Sequence, residues 1–138
     1  MGRSGRERET SCVSDESVGV LIVDDQAPFR RAARAVVTVT PGFDVVGEAE
    51  SGEQAVELVD ELAPGLVLMD INLPGINGIE ATRRITAAHP EVVVMLLSTY
   101  QVDDLPSGAD SCGAVRYVNK EDFEPQVVLD AWDGRGAR

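Results

Sequence analysis

A chain of 138 residues holds one domain with a proper core and lacks the length for two. Its net charge of −12 is the wrong sign for a protein that grips a nucleic-acid backbone, so no direct nucleic-acid binding is expected; a basic protein partner or a metal ion remains compatible. Aromatics make up only 4% of the chain, which leaves Ala and Val to fill the interior by tight helix-on-sheet packing. Cys12 and Cys112 make no disulfide framework. With no apolar run of spanning length and no apolar core near the N-terminus, the expectation is a cytoplasmic protein without membrane contact.

Residues 1–17 are polar, with three Arg against four acids, and predict a disordered arm. The folded domain is expected over residues 18–133. It opens with a buried strand, Val18–Val23, ending in Asp24-Asp25. Pro28 then suits a helix start, and Phe29, Ala32, Ala33, Val36 and Val37 make one apolar stripe, with Arg30, Arg31 and Arg34 off it. Thr40-Pro41-Gly42 stops that helix. A second strand, Phe43–Ala49, leads to a helix start at Ser51-Gly52-Glu53, with Ala55, Val59 and Leu62 inward and an end before Pro64-Gly65.

The unbroken apolar run Leu66–Met69 meets Asp70, and a loop with one proline and two glycines follows. Such a run suits a strand buried on both faces, which places Asp70 at the carboxyl edge of a parallel sheet, where open α/β folds bind ligands. Ile79, Thr82 and Ile85 mark the inner face of a third helix, and His89 before Pro90 reads as its C-terminal cap.

Val92–Leu97 is the most apolar run and should be a central strand ending in Ser98-Thr99. By rhythm, Gln101–Cys112 is the fourth helix. Pro106 and Gly108 sit inside it, at about 3 and roughly 1 kcal/mol respectively, so this helix is expected to be broken into a short turn or mobile loop. Ala114–Val118 is a fifth strand with Lys120 just past its end. Pro125 opens a last short helix with Val127, Val128, Ala131 and Trp132 apolar, and residues 134–138 should fray.

Five strands alternating with helices, joined by right-handed crossovers, give a doubly wound five-stranded parallel sheet. In the flavodoxin-like order 2-1-3-4-5, strands one and three are neighbours, and Asp24, Asp25 and Asp70 meet at one crevice. Carboxylates that close raise one another's pKa unless a cation sits among them, and Mg²⁺ is the natural one. Lys120, the chain's only lysine, and Ser98 lie on the same edge.

Four ordered motifs carry a resemblance: Leu21-Ile22-Val23-Asp24-Asp25, Met69-Asp70-Ile71-Asn72-Leu73-Pro74-Gly75-Ile76-Asn77-Gly78, Leu97-Ser98 and Tyr117-Val118-Asn119-Lys120. Over about residues 18–132 the chain resembles the receiver domain of two-component response regulators. Tyr100 following Ser98-Thr99, with Gly113-Ala114 ahead of Tyr117, looks most like the subfamily that usually carries a C-terminal helix-turn-helix domain.

The resemblance implies that Asp70 accepts a phosphoryl group from a sensor histidine kinase. It implies Mg²⁺ held by Asp25 directly, Asp24 largely through water, Asp70, and the Asn72 carbonyl. Lys120 would hold a phosphoryl oxygen, Ser98 would be the switch hydroxyl and Tyr117 the switch aromatic. It further implies no enzyme beyond self-catalysed phosphoryl transfer and autodephosphorylation. The broken fourth helix and the short last helix make any homodimer through the face they form weak. Thr99 is larger than the family's usual residue there, and Glu121 replaces the common proline after Lys120, so no cis-proline turn is available.

Other readings fit less well. A flavin carrier needs a hydroxyl-rich loop where Asp24-Asp25-Gln26 stands, and an Asp-nucleophile phosphatase needs a cap for which there is no room. The alternative that stays open is a degenerate receiver that docks partners without phosphorylation; the acid triad, Ser98 and Lys120 argue against it. No DNA-binding domain follows Trp132, so the expectation is a stand-alone receiver or the front of a longer regulator.

Overall fold

A computed structural model describes residues 17–98 and 112–134. Five strands, β1 (Val18–Val23), β2 (Phe43–Ala49), β3 (Leu66–Asp70), β4 (Val93–Ser98) and β5 (Arg116–Asn119), form one parallel sheet in the order β2-β1-β3-β4-β5. The helices are α1 (Ala27–Thr38), α2 (Gly52–Leu62), α3 (Gly78–Ala88) and α4 (Pro125–Gly134). This is the 2-1-3-4-5 flavodoxin-like arrangement expected from the alternation of runs.

Burial explains why the inner strands read as continuous apolar runs. Every residue of β3 and β4 is buried, because helices cover both faces. On one face Val20, Ile22, Leu66, Leu68, Met95 and Leu97 pack with Ala33 and Val37 of α1 and with Val128 and Ala131 of α4. On the other, Leu21, Val23, Val67, Met69 and Leu96 meet Ala55 and Val59 of α2 and Ile79 and Ile85 of α3. The two-residue alternation within each strand therefore sorts side chains between two helix layers rather than between core and water.

Local chemistry fixes the helix ends. Pro28 sits in the first turn of α1, where its missing N–H has no helical partner to lose. The Ser51 side chain caps α2 through the Gln54 amide, and the Asn77 side chain caps α3 through the Glu80 amide. Ala63, left-handed at φ 48°, ends α2 just before Pro64. His89 closes α3, its amide donating to the Ile85 carbonyl at 2.7 Å. Its ring Nε2 lies 2.5 Å from Asp60 Oδ1 of α2, a contact that raises the imidazole pKa.

Several sequence expectations need correction. Ala32 is exposed, because the inward line of α1 runs through Ala33 and Val37. Leu62 is 39% exposed rather than inward, lying over Gly47 at the rim of the edge strand β2. Arg30 does lie off the apolar stripe, yet its side chain is only 13% exposed because Glu48 and the Asp24 carbonyl draw it in. β4 starts at Val93 and β5 at Arg116, since β5 pairs only where Met95–Ser98 faces it. The arm expected over 1–17 lies outside the described residues save Ser17, and so does the broken fourth helix over 101–112 save the buried Cys112. Gly134 closes α4; the remaining residues of the expected frayed end, 135–138, also lie outside the described residues.

Candidate functional site

β1 and β3 are hydrogen-bonded neighbours, Val20–Val23 against Leu66–Met69. Their next residues, Asp24 and Asp70, therefore emerge side by side at the carboxyl edge. Asp24 is fully buried and Asp70 only 2% exposed, while Asp25 faces solvent. One carboxylate oxygen from each of the three lies within 4.8 Å of the others. β4 brings Ser98, buried, one residue beyond Leu97, the pairing partner of Asp70. β5 brings Tyr117 opposite Leu96, half-buried against the α2/α3 face, and Lys120 follows its last residue.

Lys120 is the positive charge of the cluster. Its Nζ stands 2.6 Å from Asp24 Oδ2 and 3.5 Å from Asp70 Oδ1. Asp24 Oδ1 accepts from the Gln26 amide at 2.7 Å. Asp24 Oδ2 is buried without a well-aligned hydrogen bond, so the ammonium serves it as a charge rather than as a directed donor. Asp70 Oδ1 accepts from the Asn72 amide at 3.2 Å.

Burial pushes the Asp70 pKa up to about 6, and the Asp24 charge adds to it; Lys120 and the Asn72 amide pull the other way and lose. One ammonium thus leaves three acids undercompensated. An incompletely satisfied buried carboxylate oxygen beside two further carboxylates is a donor set that a hard divalent cation fits.

Residues to which the sequence assigned no part in the site hold this edge in place. Arg30 Nη1 donates to the Asp24 carbonyl at 2.5 Å, while Arg30 Nε at 3.1 Å and the Arg34 guanidinium bind Glu48. The Arg34 hydrogen bond, with help from Arg30, holds the Glu48 carboxyl below its ordinary value. Glu53 Oε2 accepts from the Ile76 amide at 3.2 Å and pins the loop after Asp70, beside Gly75 at φ +72°. At the far end of that loop a Cβ on Gly78 would lie 2.1 Å from the Asp70 carbonyl oxygen, so only glycine fits. Phe29 of α1 lies under Lys120, its ring centroid 4.7 Å from Nζ. Gly75 and Gly78 were visible as loop residues, but nothing local marks Arg30, Glu53 or Phe29, whose partners lie far along the chain.

A flavodoxin-like sheet with a buried acid pair, a third acid and a lysine at the carboxyl edge defines the class: a small α/β domain built around one anionic crevice. The Response regulator receiver domain family matches residues 20–132, and the chain belongs to that family. Receiver domains of response regulators are signalling domains rather than conventional enzymes.

The transcriptional regulatory protein DegU of Brevibacillus brevis is 38% identical over 119 residues, which is 86% of this chain and 50% of DegU. The response regulator UvrY of Escherichia coli K12 is 38% identical over 83% of this chain and 52% of its own length. A LuxR-family two-component response regulator from Aurantimonas sp. SI85-9A1, known from a crystal structure, superposes with a TM-score of 0.77 at 31% identity, covering 88% of this chain and 87% of that one. The chain spans about half the length of the curated relatives it matches. Among the described residues no helix is long and apolar enough to cross a membrane.

Proposed function

We propose that Asp70 accepts a phosphoryl group from a sensor histidine kinase, in a site completed by Mg²⁺, and that the modification switches a partner-binding surface. One observation carries the proposal: a buried carboxylate with a raised pKa stands within 3.5 Å of a lysine ammonium and beside two further acids.

In the transfer an Asp70 carboxylate oxygen attacks phosphorus in line, the phosphorus–nitrogen bond of the phosphohistidine breaks, and the imidazole leaves and takes up a proton. Little covalent work falls to the protein, so positioning and charge do most of it. The Asn72 amide and the β3 end orient the nucleophile, and Lys120 turns toward an equatorial phosphoryl oxygen. Asp24, Asp25, Asp70 and the Asn72 carbonyl would hold Mg²⁺, which supplies positive charge for the remaining oxygens. Burial of Ser98 at the neighbouring strand end supports its role as the hydroxyl that takes up the new acceptor oxygens, and Tyr117 on β5 is the aromatic that follows it.

The curated relatives, about twice the length of this chain and including a transcriptional regulatory protein, support a place as the receiver portion of a transcriptional response regulator; a free-standing receiver is the other reading. To test the acceptor, wild type and Asp70→Asn are incubated with acetyl phosphate and Mg²⁺ and weighed intact. Wild type gains one phosphoryl group and the variant gains none; equal gains in the two would remove Asp70 from its role.

A further inference from the structure

Lys120 leaves β5 at the sheet edge and must reach back to two carboxylates on a stem of four carbons. Holding such a side chain in one place opposes its rotamer freedom, so something besides the acids has to restrain it. Its backbone opens a short 3-10 turn, Lys120–Asp122, in which the Glu121 amide donates to Asn119 Oδ1 at 2.9 Å. Its ammonium lies over the face of Phe29, 4.7 Å from the ring centroid. Phe29 comes from the first turn of α1, just beyond the acid pair, and Phe123 braces it with centroids 6.2 Å apart and planes tilted by 50°. Lys120 and Phe123, at the two ends of one turn, thus straddle the same ring.

An aromatic face attracts a cation yet offers no lone pair, so it can hold an ammonium while leaving its three N–H donors unspent. The geometry points to Phe29 as a positioning residue for phosphoryl transfer, a π platform that keeps the Lys120 ammonium at the crevice, its charge facing the carboxylates and its donors available to phosphoryl oxygens. Its effect on rate rests on the phosphoacceptor reading above; the seat of the ammonium does not. A leucine at this position would still pack against Phe123 but offer no ring face, so packing and platform can be separated.

The chain's single lysine makes the test clean, because lysine labelled with ¹³C and ¹⁵N gives one set of side-chain NMR signals. In wild type and Phe29→Tyr the Lys120 Hε protons should show the upfield ring-current shift, and both proteins should take phosphate from acetyl phosphate at similar rates. Phe29→Leu should melt close to wild type, lose the Hε shift, and react about three- to tenfold more slowly. Should Phe29→Leu fold poorly, Phe29→Met gives the same comparison. Unshifted Hε signals in wild type, or a well-folded Phe29→Leu that reacts at the wild-type rate, would overturn the platform. If no form is phosphorylated, the functional reading fails, and the Hε shift alone decides where the ammonium sits.

Discussion

Asp70 is a buried acid whose burial costs stability at neutral pH. Its pKa of about 6 means that the folded, metal-free protein binds a proton more tightly there than the unfolded chain does, whose aspartate titrates near its ordinary 3.8. The group therefore opposes folding above that window and stops doing so as pH falls through about 6 toward 4, where both states are protonated. The size is on the order of 1–3 kcal/mol, at 1.36 kcal/mol per unit. Asp70→Asn without divalent ions should then be more stable than wild type at about pH 7.5, with the gain shrinking by about pH 4.5. Urea melts at the two pH values check this; a gain that does not depend on pH would locate its origin outside the titration.

At the scale of elements, the loop from β3 to α3 is where backbone, rather than side chains, sets the tolerance. In Gly78→Ala the new methyl meets the Asp70 carbonyl oxygen at 2.1 Å and Ile71 Cα at 2.9 Å, and no rotamer change relieves a backbone clash. Alanine's better helix propensity offers about 1 kcal/mol, against typically 1–3 kcal/mol or more for forced overpacking. The variant should lose stability in denaturant melts and phosphorylate poorly, because the displaced carbonyl belongs to the proposed acceptor; unchanged melts would mean that the loop moves freely.

Much of this architecture was legible in the chain. β1, β3 and β4 announce themselves because strands covered on both faces need apolar residues at every position. The edge strand β5, half-buried and exposed at Arg116, carries no such signal, and its start was misplaced by two residues. Ala32 and Leu62 were misassigned for related reasons: alanine fits either face of a helix, and the last turn of α2 overhangs a sheet edge that the sequence does not show. The acids and Lys120 were readable from their places after strands. Phe29, Arg30 and Glu53 were not, because their roles come from tertiary contacts rather than from periodicity.

For the whole molecule, a net charge of −12 with three acids gathered at one edge makes that edge the place where a bound cation would stabilise the fold. A cation held only by the native state stabilises it by mass action. Mg²⁺ should raise the melting temperature of wild type. Asp25→Ala, which removes one of three mutually repelling charges, should melt no lower than wild type without metal yet lose the Mg²⁺ response. A full Mg²⁺ shift in that variant would place the ion elsewhere. The acyl phosphate itself offers the most direct measurement, because borohydride reduces an aspartyl phosphate to homoserine and so marks the residue that carried it. After reaction with acetyl phosphate and Mg²⁺, reduction and proteolysis, homoserine should stand in place of Asp70 and nowhere else, and should be absent when Mg²⁺ is chelated beforehand. Homoserine at Asp24 or Asp25, or none in a sample whose intact mass shows phosphorylation, would contradict the assignment.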